Sequence, residues 1–147
     1  MSIKDNINND LKEAMRAKDQ KRVGTLRLVT AAIKQVEVDE RITVADERML
    51  VILDKLVKQR KESISQFQSA GRDDLVAQEQ YELDVISNYL PEPLTEAEVN
   101  TLIEEAIAKH DAKQLSDMGK VMNSLKPLLQ GRADLSKVSS LVKARLS

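Results

Sequence analysis

The chain is predicted to be all-α, with an N-terminal helical hairpin domain over residues 1–91 and a small C-terminal three-helix domain over residues 92–147. Three observations carry that prediction. Apolar residues recur at spacings of three and four along most of the chain, the signature of a helix with one buried stripe. The hydrophobic content is 41% but the aromatic content only 2%, so the interior is built from Leu, Ile, Val, Ala and Met, which argues against an all-β fold. Helix start and stop residues bracket the periodic runs. A length of 147 residues suits one ordinary domain or two small ones.

The first helix is expected after Ser2, burying Ile3, Ile7, Leu11, Ala14 and Met15, and ending near Lys18. Asp19 is placed to cap a second, in which Val23, Leu26, Val29, Ile33 and Val36 face inward. Thr43 is the expected cap of a third helix, with Asp46 in its positive first turn. That helix runs through Leu50, Leu53, Leu56, Val57, Ile64 and Phe67, until Gly71 supplies the left-handed residue that ends it. Asp73 starts the return helix through Leu75, Val76, Leu83, Ile86 and Leu90, and Pro91 and Pro93 close the domain because each forces its predecessor into extended backbone.

"TEAE" at 95–98 reads as a capping box, followed by Val99, Leu102, Ile103, Ala106 and Ile107. Ser116 is the expected cap of the next helix, with Met118, Val121, Met122, Leu125 and Leu128 inward. Gly119 falls in its first turn, where a bare backbone admits close packing by another helix or an anion. Helix packing is the favoured use, because Asp117 beside it would repel a phosphate. Pro127 lacks the N–H that would bond the Asn123 carbonyl, so a kink or an early end is expected in the last turn. Gly131 ends that helix, Arg132 and Ala133 turn the chain, and Asp134 caps a last helix with Val138, Leu141, Val142 and Leu146 inward. The tail is small enough that it is expected to pack on the rest of the chain or on a partner.

The residues supply no reaction motif. With no cysteine there is no disulfide, thiol nucleophile or Cys-ligated zinc, which fits a reducing cytoplasm. His110, the single histidine, sits at a helix end where the dipole favours it, and is read as structural rather than as a metal ligand or triad member. There is no nucleophile elbow, zinc-protease helix, dinucleotide loop or phosphate-cradling loop. No catalytic residue, metal or cofactor is therefore expected. A pair of acidic residues acting as general acid and base stays open, since the chain holds 24 of them. No apolar run approaches the roughly 20 residues that span a bilayer. The N-terminus lacks a signal-peptide core, and a cytoplasmic protein without membrane contact is expected.

The net charge of −1 conceals segmentation. Residues 1–36 carry eight cations against four anions and residues 55–72 five against one, whereas residues 37–54 carry two against six. Residues 73–111 carry one against eleven, and residues 112–147 carry seven against two. Two readings follow: acidic and basic helices face each other, or a basic region meets a polyanion. For the second, the candidate nucleic-acid contacts are Lys120, Lys126, Arg132, Lys137, Lys143 and Arg145. Ser136, Ser140 and Ser147 share the outer face of the last helix and would suit phosphate. Residues 16–22 and the cluster Lys55, Lys58, Arg60 and Lys61 are read as solvated faces.

Three stretches taken together resemble a known family: residues 11–34, residues 60–94 with the turn "SAGR" and the boundary "YLP", and residues 117–146 with "MGKVM" and "GRAD". They closely resemble the stand-alone YqeY-like proteins of the GatB/YqeY family, over essentially the full chain. The family shares a domain with the helical, tRNA-engaging tail of the B subunit of the glutamine-dependent aminoacyl-tRNA amidotransferase. The resemblance implies a non-catalytic accessory that binds tRNA or a tRNA-amidating complex. A protein adaptor is the alternative, and a component of carbon–nitrogen ligation with glutamine as amide donor is a third, implied by kinship alone. DNA is not an expected partner, because the last helix presents no Asn, Gln or Arg array to base edges.

Overall fold

Ser2 is extended and its hydroxyl accepts the Asp5 amide, which starts α1 (Ile3–Arg16) in the computed structural model, whose described residues are 2–147. Lys18 turns the chain in the left-handed region, at φ 58°, and the Asp19 carboxylate then accepts the Arg22 amide and opens α2 (Gln20–Glu40). Both side-chain caps satisfy N–H groups that a helix start otherwise leaves orphaned.

Thr43 does not cap the third helix. α3 (Asp46–Ser69) begins after Ala45, with no side-chain cap. Two ties from other helices set its start instead: Asp46 accepts the Ile3 amide at 2.9 Å, and Glu37 accepts the Val44 amide at 2.9 Å. At the far end of α3, Gly71 stands at φ 71°, and the amides of Gly71 and Arg72 return to the carbonyls of Gln68 and Phe67. This paired closure satisfies the last carbonyls and aims the chain back along α4 (Asp73–Ser87).

The described residues form two compact helical units, one running to Leu90 and the other Pro91–Ser147. In the first, α3 and α4 pack along each other and α2 packs against both, while α1 lies on α2 and α3. Ile7, Leu26, Met49, Leu53 and Ile86 are fully buried at the centre. Each such side chain is worth about 1.5–3 kcal/mol over leaving it exposed. Thr25, also buried, donates its hydroxyl to the Lys21 carbonyl, so its polar group is satisfied. Met15, expected on the inner stripe, is instead 50% exposed.

In the second unit Thr95 and Glu98 form the expected reciprocal capping box at the start of α5 (Glu96–Lys109). Ser116 is not a cap: it lies inside a 3₁₀ turn, Leu115–Asp117, and Asp117 precedes α6 (Met118–Leu129). The Asp117 carboxylate reaches back to the amides of Lys113 and Gln114, at 3.0 and 3.3 Å, so it orders the entry loop rather than the helix. Gly119 is not a packing site either, since a Cβ there would meet nothing within 4 Å. α6 continues two residues past Pro127, and the Gln130 amide still bonds the Lys126 carbonyl at 2.9 Å. Gly131 at φ 77° ends it, and Asp134 caps α7 (Leu135–Leu146) by accepting the Ser136 amide.

The core of this unit joins Ile103, Val121, Leu125, Leu129, Val138 and Val142. Leu129 occupies the inward place expected of Leu128, which is 52% exposed, and Leu141 is 42% exposed. On α6 the four-residue steps from Val121 to Leu125 to Leu129 define the buried line, and Leu128 falls on its shoulder, about 60° away. On α7 the same steps join Val138, Val142 and Leu146 and leave Leu141 outside.

Candidate functional site

The six basic candidates separate into two kinds once their surroundings are known. Arg132 belongs to the scaffold: its Nε donates to the Glu92 carbonyl at 3.1 Å while its own carbonyl accepts the Leu94 amide at 2.9 Å. The Gly131–Arg132 turn thereby clasps the extended segment that carries Pro91 and Pro93. Arg145 is one-third exposed and pairs with Glu104 of α5 at 3.1 Å, tying α7 to α5. Both retain charge, but each has a structural task.

Lys120, Lys126, Lys137 and Lys143 are exposed and form no ion pair among the described residues. Lys120 stands on the outer face of α6, opposite the line of Val121 and Leu125, and its charge contributes to the field at Asp117. The Asp117 carboxyl is held below its ordinary value chiefly by the hydrogen bond from the Lys113 amide, then by those from Gln114 and by Lys120. Lys126 lies in the last turn of α6, where carbonyl dipoles favour a cation. On α7, Lys137 and Lys143 flank the outer face, which also carries Ser136, Ser140 and Ser147. Ser140 and Ser147 donate their hydroxyls to the carbonyls of Ser136 and Lys143, so toward an anion they offer only lone pairs. Phosphate contact on this face therefore falls to the lysines and the Ser136 hydroxyl.

The other basic clusters are engaged in part within the first unit. Arg60 meets the buried Glu82 at 3.5 Å and Lys58 pairs with Asp54 at 3.6 Å. Lys21 lies over the Tyr81 ring, 4.2 Å from its centre. Arg22 approaches Asp10, which accepts the Tyr89 hydroxyl at 2.5 Å. Burial first, and that carboxylate second, push the Tyr89 hydroxyl well above its ordinary pKa, so it acts as a fixed donor joining α1 to the end of α4.

His110 is the C-cap of α5, as the helix-end reading required, and its Nε2 is buried without a hydrogen-bond partner among the described residues. No group of three His, Cys, Asp or Glu side chains among the described residues could hold a metal ion. Among the same residues no helix is long and apolar enough to cross a membrane.

A family model described as Yqey-like protein matches residues 4–146. Over 119 residues the chain is 39% identical to "Altered inheritance of mitochondria protein 41, mitochondrial" of Lachancea thermotolerans, covering 76% of this chain and 64% of that protein. It is 34% identical over 122 residues to the protein of the same name in Pyrenophora tritici-repentis, covering 80% and 67%. With the Saccharomyces cerevisiae protein of that name it shares 44% identity over 85 residues, covering 57% and 46%. The matched segment thus spans about half to two thirds of the length of these relatives. Their names place them in mitochondria, whereas the cytoplasm was the compartment expected from composition.

Proposed function

Because the chain belongs to the YqeY-like protein family, we propose that it is a non-catalytic accessory that binds tRNA, alone or within a tRNA-amidating complex, through the lysines of α6 and α7. The observation that supports this reading is the set of four exposed, unpaired lysines, Lys120, Lys126, Lys137 and Lys143, in a stretch of seven cations against two anions. An unpaired exposed ammonium gives up little when it meets a phosphate, and each contact releases counterions. The reading suits any compartment that holds tRNA, the cytoplasm and the mitochondrial setting of the fungal relatives alike. The test is tRNA binding by the full chain across a salt series. Replacing the four lysines by Gln is expected to lower the log–log salt slope by about three to four units. No detectable tRNA binding at low salt by the parent chain overturns the reading.

One observation favours a protein adaptor as the second reading. Leu115, Leu128 and Leu141 are all more than 40% exposed in the same unit as the lysines. Apolar side chains serve a protein contact better than a phosphate backbone. Loss of binding to an amidating complex on changing these leucines to Ser, with tRNA affinity unchanged, would select it.

A further inference from the structure

Where α1 turns into α2, the chain leaves an open cavity of about 490 Å³ lined by Met15, Lys18, Gln20, Val23, Gly24 and Arg27. Three of its features have no explanation inside the chain. Met15 is half exposed although it follows the buried Ala14. Gly24 stands within α2, where glycine costs up to about 1 kcal/mol relative to alanine. Yet its φ is not positive and a Cβ built there would meet nothing within 4 Å, so neither backbone conformation nor internal packing calls for it. Lys18, fixed at the left-handed turn, and Arg27 bring two cations to the lining, and neither forms an ion pair among the described residues.

We propose that this groove receives an acidic amphipathic helix of another protein, with a small or apolar side chain seated over Gly24 and carboxylates reaching Lys18 and Arg27. A glycine in the wall lets a second backbone approach closely. Met15 offers a flexible apolar surface that adapts to an incoming side chain, and Val23 extends it. The lining includes two cations and no carboxylate, so charge complementarity selects an acidic occupant. A nucleic acid fits less well: no aromatic ring lines the groove for base stacking, and the apolar surface of Met15 and Val23 has no counterpart on a phosphate backbone. An amphipathic helix meets both demands, apolar stripe on the floor and acids at the rim. The proposal does not depend on tRNA binding by α6 and α7.

The test follows backbone amide NMR of the full chain during titration with three probes. They are a synthetic helical peptide of about 18 residues with an Ala/Leu stripe flanked by Glu, its Lys-for-Glu counterpart, and tRNA. The expected result is shifts concentrated at Met15, Lys18, Gly24 and Arg27 with the acidic peptide and not with the basic one. Gly24→Leu fills the groove with a better helix former, so it is expected to fold and to weaken the acidic peptide at least tenfold. The exposed pair Lys18→Glu and Arg27→Glu is expected to reverse the preference between the peptides. Equal response to both peptides, shifts elsewhere only, or unchanged affinity in both variants overturns the proposal. Shifts at these amides with tRNA while the acidic peptide is inert overturns it in favour of RNA.

Discussion

Glu37 joins three segments with one carboxylate: it pairs with Lys4 of α1 at 2.7 Å and accepts the Val44 amide ahead of α3. The Lys4 hydrogen bond first and the Val44 bond second hold its carboxyl below the ordinary 4.5. A depressed folded-state pKa means that the unfolded chain takes up the proton first as pH falls. The stabilisation is therefore complete above about pH 4.5 and is lost as pH drops through the lower folded value. Glu37→Gln is expected to lower the melting temperature at neutral pH, with the gap to the parent closing in acid; a gap that stays constant in thermal melts between neutral and strongly acidic pH would refute this. The glycines make a second comparison at this scale. Gly119 is helical with open space at its Cβ, so Gly119→Ala should stabilise by up to about 1 kcal/mol. Gly71 stands at φ 71°, and Gly71→Ala should destabilise by about 1–2 kcal/mol because a Cβ crowds the following carbonyl there. Urea unfolding of the two variants reads both signs.

Where a helix start is decided by its own residues, the sequence discloses it; where distant groups decide it, local spacing misleads. Thr95 and Asp19 cap as expected, and Ser2 caps the helix expected to start after it, because donor and acceptor lie within three residues of each other. Thr43 carries the same chemistry but loses the position where Asp46 is tied to Ile3, 43 residues away; Ser116 loses it to its neighbour Asp117, which bonds the amides of Lys113 and Gln114 and holds Ser116 inside the 3₁₀ turn. Thr95→Ala is thus expected to cost about 1 kcal/mol. Thr43→Ala and Ser116→Ala should each cost much less, a difference that chemical denaturation resolves. Helix phase was legible only in part for a similar reason. Leu128 and Leu129 are neighbours in an apolar run, so spacing alone allows either to face inward, and packing in the core shared with α5 and α7 chooses Leu129. Leu129→Ala should cost about 2–5 kcal/mol, as for a fully buried leucine. Leu128→Ala, at a half-exposed position, should cost a small fraction of that. The candidate site shows the same division. The exposed lysines could be read from sequence, but the clasp of Arg132 on Glu92 and the α1–α2 groove arise from residues that only the fold brings together.

For the molecule as a whole, a net charge of −1 cannot attract a polyanion, so tRNA binding has to come from local contacts. The two sources of attraction differ in a measurable way. Contacts with phosphate release counterions and set the slope of log affinity against log salt. Charges that make no contact act through a field screened within roughly 8–10 Å at physiological salt, so their effect fades as salt rises and adds less to that slope than a phosphate contact does. Glu13, Glu62 and Glu105 are exposed and form no ion pair among the described residues. Changing all three to Gln takes the net charge from −1 to +2 without touching a lysine. That variant is expected to bind tRNA modestly tighter at low salt, with its slope steepened by less than about one unit. The Gln variant of Lys120, Lys126, Lys137 and Lys143 is expected to lose about three to four units of slope. If the slope instead moved by as much per charge in the Glu variant as in the Lys variant, the contacts would be diffuse and no surface of α6 and α7 could be called the binding face.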